Sequence, residues 1–480
     1  MKEGYIPREQ RKKIMLLCDD IRMTSGISTM AREIVLGTAH HYNWINVGAA
    51  INHPDQGKQL DISGDTNRIA GISDASVFIF ACNGYGTQEI VRSLMDREKP
   101  DAIMFFTDPR YWVWLFQMEN EIRKKIPMIY LNIWDDLPAP IYNQAFYESC
   151  DSLMAISKQT LNINRLVLGD VAKEKILRYV PHGINEEAFF PITEFMKDWN
   201  QKLEEKKREI FGNFNPEFVL FYNARNIRRK STSDLIAAYS LFCDMIGKDA
   251  SKKCAFVLHT EIADENGTDL GVVRDLLCDP EYQKIYFHTQ KLPPDGINVL
   301  YNLADVTALI SSNEGWGLSL TESMMAGRMI IANSTGGMQD QLRFEDENGR
   351  WIDFDEKFCS NHFGTYKKCG EWGIPVFPTN MSIVGSIPTP YIFDDRCDFR
   401  DVAKAIKQVY DLPVEERQRR GLAGRDWATS QESMMSAKHM CDNVISTIED
   451  TLKQFKPRKD FELIKVKKLE RKKILHPLTY

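Results

Sequence analysis

Short apolar runs alternate with amphipathic stretches along the first half of the chain. The runs at 13–18, 76–81, 102–106 and 128–133 have the length and residue types of buried strands. Helical spacing separates them, as in the amphipathic stretch that ends at about Ala39. Strands and helices that alternate in this way form a parallel sheet covered on both faces. The first half is therefore predicted to be a Rossmann-like α/β domain, with ligands at the carboxyl ends of its strands.

The same alternation returns in the second half, after a charged helical connection at 192–215. Further strands are predicted at 217–222, 254–260, 285–288, 306–310 and 329–333, and helices at 234–245, 294–304, 398–410 and 431–454. A chain of 480 residues is too long for one ordinary core, so two domains are expected. We predict domains at 1–192 and 193–430, the second with an irregular, aromatic insertion at 343–395, and a terminal segment at 431–480.

The composition agrees with the predicted fold and indicates the class of protein. The apolar and charged fractions, 43% and 27%, are those of a globular protein, and no apolar run reaches the length of a membrane span. Ten scattered cysteines without a C-x-x-C pair fit reduced thiols. We therefore expect a cytoplasmic protein without a transmembrane segment. A net charge of −6 indicates no general surface for polyanions.

The stretch 311–327, with the sequence SSNEGWGLSLTESMMAG, combines a strand end, a glycine turn and a helix start. Gly315 and Gly317 can take backbone angles that let a ligand approach the main chain closely. The helix that opens near Leu318 offers unpaired N–H groups and the positive end of its dipole. This geometry predicts a site for an anion such as a diphosphate.

Two carboxylates, Glu314 and Glu322, flank this turn, and acids beside a phosphate site are suited to gripping hydroxyls, which suggests a nucleotide sugar. Their spacing, with glycines between and small residues after, resembles the signature of glycosyltransferase family 4, the retaining group 1 enzymes of the GT-B fold. Arg225 and Lys230 match the Arg and Lys with which this family clamps the donor diphosphate. The alternatives are a glycine turn in another α/β protein and a generic basic loop.

The resemblance implies an α/β architecture of GT-B type, in which two Rossmann-like domains face an interdomain cleft and the last helices cross back to the first domain. The first domain would bind the acceptor and the second the nucleotide sugar. Arg225, Lys230 and Glu314 would be catalytic, because fixed cations stabilise charge that grows on the leaving diphosphate. Glu314 would hold sugar hydroxyls and Glu322 the ribose. Gly26, in the first βα turn, would approach the phosphate from across the cleft or belong to an ordinary turn.

Trp134 and Asp135 close a strand of the first domain and are the acceptor-side candidates. Family members often have a His where this chain has Trp134, which leaves the identity of the transferred sugar open. Asp135 is expected to hold a hydroxyl of the sugar or acceptor, with capping of the strand end as the alternative. Asp353 and Asp355 have the spacing of a metal-binding pair, but no metal is expected because GT-B enzymes generally act without one.

Together these residues predict a retaining glycosyltransferase that moves a hexose or related sugar from a UDP- or GDP-sugar to a hydroxyl of a glycan, lipid or small molecule. No cofactor beyond this donor substrate is expected. The rivals are a transferase acting on modified bases of DNA, which the net charge disfavours, a nucleotide-sugar-binding protein without activity, and another GT-B enzyme such as a phosphorylase or epimerase.

The tail at 453–473 holds ten basic residues against three acidic ones. This charge makes the tail a candidate for contact with an anionic surface. We favour the protein's own acidic surface over lipid or nucleic acid as the partner of the tail.

Overall fold

The computed structural model describes residues 4–459, and its first half forms one eight-stranded sheet between helices. The strands are β1 Lys12–Asp19, β2 Tyr42–Ala50, β3 Gln59–Asp61, β4 Val77–Asn83, β5 Ala102–Phe106, β6 Met128–Asn132, β7 Ser152–Ala155 and β8 Ile176–Tyr179. The helices are α1 Gly26–Thr38, α2 Ser63–Ala70, α3 Gln88–Glu98, α4 Val113–Gln117, α5 Glu119–Ile122, α6 Gln144–Glu148 and α7 Lys158–Leu168.

The strands of this first sheet lie in the order β3-β4-β2-β1-β5-β6-β7-β8. Every neighbouring pair is parallel except β3 with β4. The central strands β5 and β6 are buried at every residue, as a sheet covered on both faces requires. The carboxyl ends of the parallel strands therefore meet along one edge, where the connecting loops are free to build a site.

The second half forms a six-stranded parallel sheet and a separate hairpin. Its strands are β9 Phe218–Asn223, β10 Cys254–His259, β11 Ile285–His288, β12 Val306–Leu309, β13 Met329–Asn333, β14 Gly373–Val376, β15 Asn380–Ser386 and β16 Thr389–Arg396. Its helices are α8 Lys197–Phe211, α9 Thr232–Ile246, α10 Lys248–Ser251, α11 Leu270–Leu277, α12 Pro294–Leu303, α13 Leu318–Met325, α14 Met338–Leu342, α15 Phe399–Tyr410, α16 Val414–Ala428 and α17 Ala437–Gln454.

The order of the second sheet is β11-β10-β9-β12-β13-β14, and all of its neighbours are parallel. The two sheets lie within the predicted ranges 1–192 and 193–430, one in each. The prediction of two Rossmann-like α/β domains is thus confirmed at the level of fold class. Within residues 4–459, none of the helices combines the length and the hydropathy that a bilayer crossing needs.

The predicted insertion at 343–395 is less irregular than expected, because it contains strands. Strand β14 lies inside it and pairs with β13 as the edge strand of the second sheet, because its short apolar run continues the parallel ladder. The hairpin of β15 and β16 then reaches the first domain, where the Phe393 N–H donates to the Leu137 carbonyl over 2.7 Å. The hydroxyl of Tyr391 donates to the Ala139 carbonyl over 3.1 Å. The hairpin therefore ties the second domain to the loop that follows β6.

The last helix, α17, returns to the first domain. The Tyr42 hydroxyl on β2 donates to Glu449 over 2.8 Å, and the Thr451 hydroxyl lies 3.0 Å from that of Ser152 on β7. Because these contacts are buried or half-buried, α17 forms part of the packing of the first domain. Most of the predicted tail contact falls on residues 460–480, which lie outside the described part of the chain.

We predict that Gly183→Ala detaches this return segment. A Cβ at Gly183 would lie 2.4 Å from the Ser436 carbonyl oxygen, a backbone atom that cannot swing away. The expected loss in the free energy of unfolding is about 2 kcal/mol, measured by urea denaturation. Gly64→Ala is the matched control, because its Cβ would meet open space. Equal stability of the two variants would contradict the prediction.

Candidate functional site

The site lies at the carboxyl ends of the second sheet, where the chain leaves β12 and enters α13. Gly317 is the N-cap of α13 and has φ +89°, an angle that glycine adopts without strain. At Gly315 a Cβ would lie 2.9 Å from the Ile133 carbonyl oxygen of the first domain. The two predicted glycines therefore serve two purposes: Gly317 turns the chain into the helix, and Gly315 lets the first domain approach.

The floor of the site is a carboxylate held by two cations. The Lys230 ammonium bonds to Oε2 of Glu314, and Nη1 of Arg229 donates to the same oxygen over 2.9 Å. Arg229 also donates to the Asn313 carbonyl over 2.8 Å. The side chains of Lys230 and Glu314 are each only 11% exposed. A single carboxylate oxygen thus fixes both cations at the start of the turn that leads into α13.

Glu314 and its two cations stabilise each other's charged forms. Burial alone would raise the pKa of Glu314, but Arg229 and Lys230 outweigh it and hold the pKa at about 2. Burial lowers the pKa of Lys230, although Glu314 opposes this shift. Glu314 is therefore ionised throughout the physiological range, and it carries less charge than its two partners together. Asp135, which interacts with the same cations, offsets this excess when it is ionised, so the fit to an anionic ligand depends on the placement of the two cations beside the start of α13.

Arg225 lies apart from this cluster. Its side chain is 62% exposed and its Nε donates to Asp264 over 2.6 Å. The reason is local: after β9 the chain makes a 3-10 turn at Arg228–Lys230, which brings Arg229 and Lys230 beside the end of β12. Arg225 precedes that turn. The sequence analysis selected Arg225 and not Arg229, and the signal for Arg229 was the basic run from Arg228 to Lys230.

Glu322, on the first turns of α13, has two neighbours that the sequence did not reveal. The Tyr301 hydroxyl of α12 donates to Oε2 of Glu322 over 2.6 Å, and the Asn223 amide at the end of β9 lies 3.5 Å from the same oxygen. Burial raises the pKa of Glu322 to about 7, while the hydrogen bond from Tyr301 opposes this shift. The carboxyl group is consequently poised between its two protonation states near neutral pH.

Asp135 faces the cluster from the first domain. Burial raises its pKa to about 6, with Arg229 opposing and Glu314 adding to the shift. The adjacent Asp136 has its pKa raised further by burial and by Asp135. These charge effects place the two domains' carboxylates within electrostatic range of one pair of cations.

Trp134 is buried, and its indole ring contacts neighbouring residues of the first domain. Its indole N–H donates to the Asp136 carbonyl over 3.0 Å, and the guanidinium of Arg110 lies 5.1 Å from the centre of its ring. Gly26 lies on the other side of the cleft, where its Cβ would be 3.5 Å from the Leu318 side chain. The structure thus brings Gly26 to the start of α13, the helix whose N-terminus was predicted to bind phosphate.

Within residues 4–459, no group of three or more His, Cys, Asp or Glu side chains is arranged to hold a metal ion. Asp353 of the predicted D-x-D pair instead lies 3.1 Å from the Lys158 ammonium. The Lys158 ammonium also sits 3.7 Å from the centre of the Trp351 ring. Asp353 therefore takes part in contact between the domains.

Residues 204–357 match the family model described as glycosyl transferases, group 1. Over 198 residues the chain is 23% identical to the D-inositol 3-phosphate glycosyltransferase of Corynebacterium jeikeium, a match that covers 41% of this chain and 44% of that protein. The chain thus spans less than half the length of this curated relative.

Two solved structures resemble the fold over most of its length. Anabaena Alr3699/HepE, determined in complex with UDP and glucose, gives a TM-score of 0.61 at 11% identity and covers 92% of this chain and 100% of its own. Sucrose-phosphate synthase from Thermosynechococcus elongatus gives 0.62 at 15% identity and covers 92% and 99%. These likenesses confirm the GT-B fold that the sequence predicted.

Proposed function

Because residues 204–357 match the family model of the group 1 glycosyl transferases, we propose that the chain is a retaining glycosyltransferase using a UDP- or GDP-sugar. The observation that carries the proposal is the Glu314 cluster, in which Arg229 and Lys230 are fixed beside the start of α13. Two cations and a helix N-terminus together suit a diphosphate. The buried thiols of Cys18, Cys150 and Cys254 fit a cytoplasmic location for this activity.

Each donor-side residue has a chemical task in this proposal. Lys230 and Arg229 hold the diphosphate and stabilise the negative charge that grows on its β-phosphate as the glycosidic bond breaks. Glu314 orients the two cations and accepts hydrogen bonds from sugar hydroxyls. Glu322 accepts hydrogen bonds from the ribose, with Tyr301 fixing the position of its carboxyl group. Closure of the first domain over Gly315 excludes water that would otherwise hydrolyse the donor.

On the acceptor side, Asp135 orients the attacking hydroxyl. The bond from the anomeric carbon to the β-phosphate oxygen breaks, and the acceptor oxygen bonds to the same face of that carbon. The proton of the hydroxyl passes to the leaving phosphate, so no side chain has to act as a strong base. This sequence of events preserves the anomeric configuration, which proton NMR of the product measures directly.

The proposal is tested by incubating the purified protein with a panel of UDP- and GDP-sugars in the absence of acceptor. We expect one donor to raise the thermal unfolding temperature and to release its nucleotide slowly. The free sugar, which lacks the diphosphate, is the matched ligand and is expected to cause no shift. If no nucleotide sugar binds, the proposal is overturned; release of a sugar phosphate or an epimer would identify another GT-B reaction.

The affinity for the donor nucleotide is expected to depend on the charge of Glu322. Its pKa of about 7 means that the carboxyl group is mostly neutral at about pH 6 and mostly ionised at about pH 8, and the ionised form is the stronger acceptor of hydrogen bonds. Binding should therefore strengthen up to about tenfold as the pH rises over this interval. Isothermal titration with UDP and GDP measures the change.

The control for this pH dependence is Glu322→Gln, which cannot titrate and should bind with a flatter pH profile. Subtracting the variant from the wild-type profile removes the titration of the nucleotide itself. Identical profiles for the two proteins would show that Glu322 does not set the pH dependence of donor binding.

A further inference from the structure

Helix α14 lies between the candidate site and the first domain, and one side of it holds the turn that leads into α13. Its N-cap, Gly337, donates its N–H to the main-chain carbonyl of Glu314 over 2.9 Å. The side-chain amide of Gln341 donates to the main-chain carbonyl of Trp316. A Cβ at Gly337 would lie 2.0 Å from the Gly315 carbonyl oxygen, so the helix and the turn are in direct backbone contact. The position of α14 therefore determines the position of this turn.

The other side of α14 contacts the first domain through Asp340. The main-chain N–H of Lys158 donates to Oδ2 of Asp340 over 2.9 Å, and the Tyr179 hydroxyl donates to the same oxygen over 3.0 Å. Asp340 is fully buried, and within residues 4–459 its second oxygen, Oδ1, has no hydrogen-bond partner. The hydrogen bonds that compensate the burial of this carboxyl group thus come from the first domain.

Asp340 also caps helix α7, which begins at Lys158. The N–H of the first residue of a helix has no acceptor within the helix, so Asp340 supplies an acceptor from the other domain. The positive end of the helix dipole favours a carboxylate at this place. The Lys158 side chain adds a second contact, because its ammonium donates to the Ile352 carbonyl over 2.6 Å. The start of α7 is therefore bound to the second domain at two places.

We propose that Asp340, the Lys158 N–H and the Tyr179 hydroxyl form an interdomain latch, and that Asp340 is a positioning residue for the candidate site. The latch holds α14 on the first domain, and α14 holds the turn that carries Glu314. The latch thereby keeps Asp135 of the first domain facing the cations that are bound to Glu314. Opening the latch would leave the Glu314 cluster intact within the second domain and separate it from Asp135.

The effect of the latch on catalysis rests on the proposed function, whereas the latch itself does not depend on it. In the proposed reaction the second domain binds most of the donor, and transfer also needs the acceptor side of the first domain. Loss of the latch should therefore lower kcat and leave the KM for the donor almost unchanged. A residue that only stabilised the fold would change neither constant at a temperature where the variant is folded.

The first experiment measures hydrogen exchange of the Lys158 amide in the full-length chain without donor, by mass spectrometry of overlapping peptides. Work at about pH 8 keeps Asp340 mostly ionised, since burial raises its pKa to about 7. Tyr179→Phe removes one donor of the latch and keeps the ring, so exchange should accelerate about tenfold. Tyr282→Phe is the matched control, because the Tyr282 hydroxyl makes the same kind of bond, over 2.9 Å to Asp244, within the second domain.

The control is expected to exchange like the wild type at Lys158. The latch is overturned if the Lys158 amide of the wild type exchanges as fast as an exposed amide. It is equally overturned if Tyr179→Phe accelerates this exchange no more than Tyr282→Phe does, because the contact would then open only with the fold as a whole.

The second experiment measures kcat and KM of the same three proteins with the donor that raises the unfolding temperature. Tyr179→Phe should lower kcat about tenfold, while its KM and its donor-induced thermal shift match those of the wild type and of Tyr282→Phe. Faster exchange with an unchanged kcat would overturn the positioning role. If no nucleotide sugar binds, the proposed function and the positioning role both fall, and hydrogen exchange still decides whether the latch exists.

Discussion

Replacing Lys230 or Arg229 by alanine is expected to lower kcat/KM for the donor by at least about 100-fold. Both cations are fixed on one oxygen of Glu314, and in the proposed mechanism they neutralise the charge that grows on the leaving diphosphate. Fixed cations stabilise the transition state more than the ground state, so kcat should fall more than the affinity for the donor. Release of nucleotide in the presence and absence of acceptor measures both quantities.

The matched control is Arg228→Ala, which removes the same charge from the same turn at an exposed position and should leave the rate unchanged. Arg225→Ala tests which arginine binds the donor: the sequence resemblance favours Arg225, and the position beside Glu314 favours Arg229. Arg225 is bound to Asp264, so we expect a smaller loss than for Arg229→Ala. A larger loss for Arg225→Ala would mean that Arg225 leaves Asp264 to hold the donor, and it would return the clamp to the residue that the family pattern selects.

Glu314→Gln is expected to impair both activity and stability. The neutral amide no longer compensates Lys230 and Arg229, and an uncompensated buried charge costs roughly 3 kcal/mol. The loss should be largest below the pKa of Lys230, which burial lowers, and should shrink above it as the ammonium gives up its proton. Donor turnover should fall about 100-fold, because the cations are no longer held in position. Urea unfolding at several pH values measures the stability.

Glu265→Gln is the matched control, since Glu265 is exposed on the loop that contains Asp264. It should change neither stability nor turnover. If Glu314→Gln were as stable as this control at neutral pH, the two cations would not depend on Glu314 for compensation. The proposed role of Glu314 in orienting them would then be wrong.

The periodicity of apolar residues was sufficient to predict most of the fold. The run at 102–106 became strand β5 Ala102–Phe106, and the predicted helix at 398–410 became α15 Phe399–Tyr410. Strand β2 escaped this reasoning because Asn43 and Asn46 interrupt its apolar pattern. Asn46 is nevertheless buried, and its amide donates to the Leu16 carbonyl over 3.3 Å. A core amide that is satisfied across the sheet cannot be told from a loop residue by periodicity alone.

The sequence predicted the parts of the candidate site that follow from the local course of the backbone. It did not predict contacts between side chains of different secondary-structure elements. The spacing from Glu314 to Glu322 follows from the turn into α13 and could be read from the sequence. The choice between Arg225 and Arg229 depends on a 3-10 turn that includes Arg229 and not Arg225, and residue spacing does not encode that turn. Tyr301 reaches Glu322 from a different helix, and nothing in the sequence connects the two.

The return of α17 to the first domain has a consequence for the order in which the two domains fold during synthesis. Tyr42 on β2 and Ser152 on β7 form hydrogen bonds with Glu449 and Thr451, which are synthesised near the end of the chain. The second domain, whose last helix α16 ends at Ala428, can finish folding while the first domain still lacks α17. The domain that is synthesised first is thus completed last, so a nascent chain whose residues up to about 430 have left the ribosome would carry an unfinished N-terminal domain beside a finished C-terminal one.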